Sequence, residues 1–139
     1  MQTPHSRLAS RAASTALAFL LAALPASAQD IFASRPAFSP PEQRPSVTAR
    51  CDQVRAMAEG LPVLETRIDL WVSGALTLVK TDGALWYLVI CDDLRIMCVT
   101  YESNDMQVGE RVVMRGGYRR LDPRHAVLDP CLASREEQE

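Results

Sequence analysis

The stretch Ile68-Asp69-Leu70-Trp71-Val72-Ser73-Gly74-Ala75-Leu76-Thr77-Leu78 decides the fold. Ile68, Leu70, Val72, Leu76 and Leu78 alternate with Asp69, Trp71, Ser73 and Thr77, the period of two that marks a strand with one buried face. Only Gly74 interrupts it. A long strand with a central glycine is what a β-barrel uses where one strand bends to serve two neighbours. Downstream, Lys80-Thr81-Asp82-Gly83 reads as a tight hairpin turn, because the Asp-Gly pair tolerates positive φ. The same reading predicts a second strand over Leu85–Cys91, a turn over Asp92–Arg95, a third strand over Ile96–Tyr101 and a loop over Glu102–Glu110. A fourth strand is expected over Arg111–Arg119, with Gly116-Gly117 marking a bulge or close packing near its end, and a fifth over His125–Leu128 after the turn at Asp122-Pro123. The chain is therefore read as all-β, and its 139 residues suit one small domain.

Upstream of the strands the period changes. Cys51, Val54, Met57 and Ala58 recur at helical spacing, Thr48 is placed to cap a helix running to Glu59, and Gly60 with Pro62 supplies the stop. That helix is amphipathic and must dock on something. Before it, Pro36, Pro40, Pro41 and Pro45 forbid both helix and central strand over Ile31–Val47, which reads as an extended leader. At the start of the chain, Arg7 and Arg11 precede the apolar run Thr15–Leu24, and Ala26-Ser27-Ala28 follows as an A-x-A cleavage site. This is the pattern of a secretory signal peptide, and the run is well short of the ~20 residues that span a bilayer. No cysteine sits just after the cleavage site, so no lipid anchor is expected. The organisation read from the chain is a signal peptide over 1–28, a proline-rich leader over 29–47, helix plus barrel over 48–131 and an acidic tail over 132–139. Export implies a periplasmic or secreted protein in which disulfides can form.

Charge narrows the partners. The whole chain carries a formal −2, and without the first 28 residues 13 basic residues face 17 acidic ones, Lys80 being the only lysine. Bulk attraction to nucleic acid or anionic lipid is excluded. The local exception is Arg111, Arg115, Arg119, Arg120 and Arg124 against Asp122 alone over residues 111–125, either a solvated hairpin or an anion-binding loop.

Five strands, a long bent first strand and the segment Val108-Gly109-Glu110-Arg111-Val112-Val113-Met114-Arg115-Gly116-Gly117-Tyr118 resemble the OB-fold, in which a V-G-[DE]-x-V-x-x-x-G run commonly opens the fourth strand. The resemblance covers residues 64–131 and places the chain beside small exported bacterial OB-fold-like proteins. It implies a five-stranded OB-like barrel with an N-terminal amphipathic helix. The OB-fold often sets a helix between strands three and four, and Glu102–Glu110 is too short and polar for one, so the upstream helix is expected to plug or cover the barrel instead.

The resemblance also points to the outer face of strands two and three as the binding surface. With Leu88 and Ile90 inward, that face reads Tyr87, Val89, Cys91, Ile96, Cys98 and Thr100; in the opposite phase it reads Trp86, Leu88, Ile90, Met97, Val99 and Tyr101. Neither set is polar. Such a hairpin is covered by the chain itself or left as a partner-binding patch, and the amphipathic helix, with Val54 and Met57 buried, is the expected cover. Asp92, Asp93 and Glu102 at the hairpin ends oppose single-stranded nucleic acid.

The four cysteines, Cys51, Cys91, Cys98 and Cys131, contain no C-x-x-C and admit three pairings, of which Cys91 with Cys98 and Cys51 with Cys131 is preferred. No metal site or cofactor is expected: the thiols lack paired short spacing, and His125 is the only histidine after the signal peptide. No catalytic residues are assigned. Asp92-Asp93 occupy adjacent turn positions, Ser73 and Ser103 have no evident partner, and there is no phosphate-binding glycine loop. The expectation is a non-catalytic binding or structural module of the cell envelope with a protein partner. The alternatives are a thiol-disulfide redox protein, or an oligosaccharide or oligonucleotide binder using Trp86, Tyr87, Tyr101, Arg115, Tyr118, Arg119 and Arg120.

Overall fold

The computed structural model describes residues 28–137. The signal peptide expected over residues 1–28 lies, but for Ala28, outside them, as do the last two residues of the tail. The elements are α1 (Ala28–Ala33), β1 (Phe38–Ser39), β2 (Ala49–Arg50), α2 (Cys51–Ala58), β3 (Asp69–Thr81), β4 (Trp86–Ile90), β5 (Arg95–Thr100), β6 (Arg111–Asp122) and β7 (His125–Arg135).

The alternating stretch forms the 13-residue strand β3. Asp69–Ala75 pair with β6, and from Leu76 to Thr81 the strand pairs with β4, with a register irregularity between Leu76 and Leu78. Changing partners part-way along lets one strand close the ring β3-β4-β5-β7-β6, a five-stranded barrel with the strand order of an OB-fold. All neighbours in the ring are antiparallel except β5 and β7. The barrel is filled by Leu70, Val72, Leu76, Leu88, Ile90, Ile96, Met114 and Leu128. Gly74 is needed for space: a Cβ there would stand 2.6 Å from the Cys51 sulfur.

Three expectations change. First, β7 does not stop at Leu128 but runs through Asp129-Pro130 to Arg135. Proline lacks an N–H for the ladder, and the strand tolerates it because the pairing slips there, Gly116 facing Cys131 and Tyr118 facing Leu128. Gly116 belongs to the same device, since a Cβ on it would lie 2.2 Å from the Pro130 carbonyl oxygen. Second, the helix starts at Cys51 rather than after Thr48, because Ala49 and Arg50 are held extended by parallel pairing with Val72 and Ser73 of β3. Third, the proline-rich segment is a working part of the core. Its first residues, Ile31–Ala33, end α1 ahead of the first proline, and Phe38 pairs with Leu70 and buries its ring edge-on against Tyr118, centroids 5.1 Å apart.

The cysteine pairing is also corrected. The bonds are Cys51–Cys91 and Cys98–Cys131, with Cα atoms 5.2 and 5.4 Å apart. The β4–β5 turn closes one residue earlier than expected, so Ile90 faces Ile96 and Leu88 faces Cys98. Cys98 then points into the barrel, where Cys131 of the adjacent β7 also points, while Cys91, in a left-handed conformation at φ 69°, sits at the barrel end beside the first residue of α2.

Candidate functional site

The same one-residue change in the turn builds the outer face. β4 keeps Leu88 and Ile90 inward while β5 sends Ile96, Cys98 and Thr100 inward, so the outer residues are Tyr87 and Val89 from one strand and Met97 and Val99 from the other. Each face expected from the sequence is thus half right. Cross-strand register then aligns Leu78, Val89, Met97 and Val127 in one row over β3, β4, β5 and β7, with Arg119 of β6 at its end. Leu78 is 45% exposed and Val89 and Met97 are half-buried, whereas Val127, at 3%, is buried and closes the row. Tyr87 and Val99 form the next pair along the sheet.

The helix does not cover this stripe, contrary to expectation. Val54 and Ala58 are buried and Met57 is partly buried, but α2 is tied across the end of the barrel. Cys51 is bonded to Cys91 of the β4–β5 turn, the Arg55 guanidinium donates to the carboxylate (2.6 Å) and the carbonyl of Asp93, and it donates at 3.0 Å to the Pro123 carbonyl in the β6–β7 turn. One arginine thereby holds both turns against the helix. Burying the apolar stripe of α2 on the open barrel end satisfies its amphipathicity, so the helix does not cover the half-buried Val89 and Met97 on the sheet's outer face.

A second surface lies on β3, β6 and β7. A cavity of about 890 Å³ is lined by Arg44, Arg67, Asp69, Trp71, Tyr101, Glu102, Arg115, Asp129 and Leu132, among others. Trp71 and Arg115 are opposed in the β3–β6 register, and Leu132 is opposite Arg115 on β7. The guanidinium carbons of Arg44 and Arg115 stand 5.0 and 5.1 Å from the centre of the Trp71 ring. Arg67 and Asp69 satisfy each other through two hydrogen bonds of 2.6 and 3.0 Å. Tyr101 is 82% exposed.

The residues proposed from sequence are dispersed. Tyr101 and Arg115 share this cleft. Tyr118, Arg119 and Arg120 line a separate cavity of about 770 Å³ between the α2–β3 connection and the end of β6. Arg120 is occupied there, donating at 2.7 Å to the carbonyls of Asp122 and Pro123, and burial pushes the Tyr118 hydroxyl above its ordinary pKa. Trp86 shares the inward phase of Leu88 at the head of β4, and Tyr87 lies on the outer face with its hydroxyl donating to Asp82 at 2.7 Å. Sequence reading missed Arg44 and Trp71. Trp71 looked like the solvent face of a strand, and only the folded leader brings Arg44 to it.

Elsewhere the titratable groups serve turns. Asp82 accepts from the N–H groups of Leu85 and Ala84 and from Tyr87, which holds its carboxyl at about 2. His125 sits 2.8 Å from Asp122, which also accepts the Arg124 N–H. No cluster of three His, Cys, Asp or Glu side chains able to hold a metal occurs among the described residues.

No protein-family model matches the chain, and no curated protein matches it either. Among solved structures it is similar to a chain of the Schizosaccharomyces pombe Stn1-Ten1 complex, at 15% identity and a TM-score of 0.34, over 50% of this chain and 60% of that one.

Both disulfides suit an oxidising compartment outside the cytoplasm. Among the described residues no helix is long and apolar enough to cross a membrane.

Proposed function

We propose that this chain is an exported bacterial binding module, periplasmic or secreted, that docks an envelope protein on the outer face of β4 and β5 and carries out no chemistry of its own. The observation that carries the reading is the position of α2. The amphipathic helix expected to cover the hairpin is tied to the barrel end by the Cys51–Cys91 bond and by Arg55, leaving the row Leu78, Val89, Met97 and its neighbours Tyr87 and Val99 as an apolar surface that it does not cover. A contiguous apolar row framed by polar residues marks an interaction surface more often than a solvated one. The pairing and burial of the cysteines favour this reading over a redox one: all four are bonded, and Cys91, Cys98 and Cys131 are buried.

The test is to change Val89 to Glu and Met97 to Lys, an opposite-charge pair directly across the hairpin. Both are half-buried on the outer face, so the melting temperature should hardly move, while hydrophobic dye binding by the native protein and crosslinking to its envelope partner should both be lost. An unchanged crosslinking pattern would reject this surface.

A further inference from the structure

We propose that the cleft around Trp71 binds an acidic oligosaccharide, with Arg44 and Arg115 receiving a carboxylate and the Tyr101 ring receiving a sugar face. The site shares only Val99 with the apolar surface and does not rest on that reading.

The first observation is the pair of guanidiniums. Arg44 arrives from the leader and Arg115 from β6, and both come to about 5 Å from the centre of one indole. Among the described residues neither has a carboxylate within ion-pairing distance, as is also true of Arg35, Arg95, Arg119, Arg120 and Arg124; what sets this pair apart is the ring they share. Two like charges gathered on one ring and left without a counter-ion are suited to a carboxylate, whose two oxygens match the planar fork of a guanidinium.

The second observation is the rest of the lining, which selects among anions. Glu42, Glu102 and Asp129 also face the cavity, while Asp69 is already taken by Arg67. A densely charged strand, such as a nucleic acid or a run of acidic amino acids, would bring further negative charges onto these three. A sugar chain with a single acidic ring brings one carboxylate and otherwise hydroxyls, and hydroxyls donate to carboxylates and pair with Gln43 and Asn104. The Tyr101 ring, 82% exposed at the cleft, offers a flat apolar surface to the C–H face of a pyranose. The volume of about 890 Å³ lies within the ordinary range of ligand sites.

The experiment uses the oxidised protein and aldotetraouronic acid, a xylotriose bearing a single glucuronic acid, as probe. Trp71 and Trp86 are the only tryptophans, so Trp86→Phe leaves a single reporter in the cleft. The expected result is a saturable change in emission, accompanied by a shift of the Trp71 indole N–H resonance. Arg44→Ala with Arg115→Ala should weaken binding by about tenfold or more without lowering the melting temperature, because both side chains are exposed. The methyl-esterified tetrasaccharide should bind correspondingly less well. Three results would overturn the proposal: no saturable response in either fluorescence or resonance, equal binding of the esterified sugar, or tighter binding of polyglutamate or single-stranded DNA.

Discussion

Gly116 and Asp82 illustrate two ways in which a single position supports this barrel. A methyl group on Gly116 would enter the Pro130 carbonyl at 2.2 Å and approach the Cys131 Cα at 2.9 Å, and backbone cannot step aside as a flexible side chain can. Gly116→Ala should therefore cost about 3 kcal/mol, seen as a lower urea midpoint with an unchanged slope. Asp82 acts through its charge. Its carboxylate accepts hydrogen bonds from the Leu85 N–H first, then the Tyr87 hydroxyl and the Ala84 N–H, so its pKa falls from 3.8 to about 2. The folded value lies below the unfolded one, so the contribution to stability is complete above pH ~4 and is lost as the pH falls toward 2. A proton titration of the Asp82 carboxyl should show its midpoint near 2, and Asp82→Asn should remove that portion of the acid sensitivity. The turn chemistry of Asp82-Gly83 was legible because Asp-Gly carries its own conformational preference. The cysteine partners were not, because they depend on where the next turn closes: shifting Ile96 from facing Cys91 to facing Ile90 reverses every side chain of β5, including Cys98.

The helix α2 shows the same limit in a larger element. Its apolar spacing and the Gly60 stop were readable, but its target was not, since amphipathicity requires a partner surface without naming one. The bond to Cys91 and the reach of Arg55 choose the barrel end. The consequence separates two residues that the sequence treats alike. Val54 is fully buried and Met57 only partly, so Val54→Asp should cost about 4 kcal/mol whereas Met57→Asp should cost markedly less. Arg55→Ala should cost about 1–2 kcal/mol, because it leaves the Pro123 and Asp93 carbonyls without their donor, and amide exchange should rise in both turns at once. The leader was read as extended because four prolines exclude repeating structure, and its backbone departs from that reading ahead of the first proline, where Ile31–Ala33 are helical. What composition could not convey is that Phe38 sits in the core and Arg44 at a cleft, since both contacts are long-range and carry no local signature.

Taken together, the barrel is closed by one long strand and secured by two bridges that act on different parts of it. Cys98–Cys131 joins β5 to β7, the only parallel neighbours in the ring, and Cys51–Cys91 fastens the helix over one end. The bridges close loops of similar length, 33 and 40 residues, so on chain entropy alone each contributes about 4 kcal/mol. For a domain with an ordinary stability of roughly 5–15 kcal/mol, loss of one bridge is survivable and loss of both removes most of the margin. The two single losses should nevertheless differ in where the molecule loosens. Replacing Cys51 and Cys91 with Ala should raise hydrogen exchange in α2 and the β4–β5 turn while β3, β6 and β7 stay protected, because the strand ladders do not pass through that bond. Replacing Cys98 and Cys131 should raise exchange across β5 and β7, where the bridge spans the core. The four-cysteine replacement should unfold well below the temperature of either pair alone, and a protein lacking all four that melts where the parent does would show that closure of the sheet, and not its bridges, carries the stability.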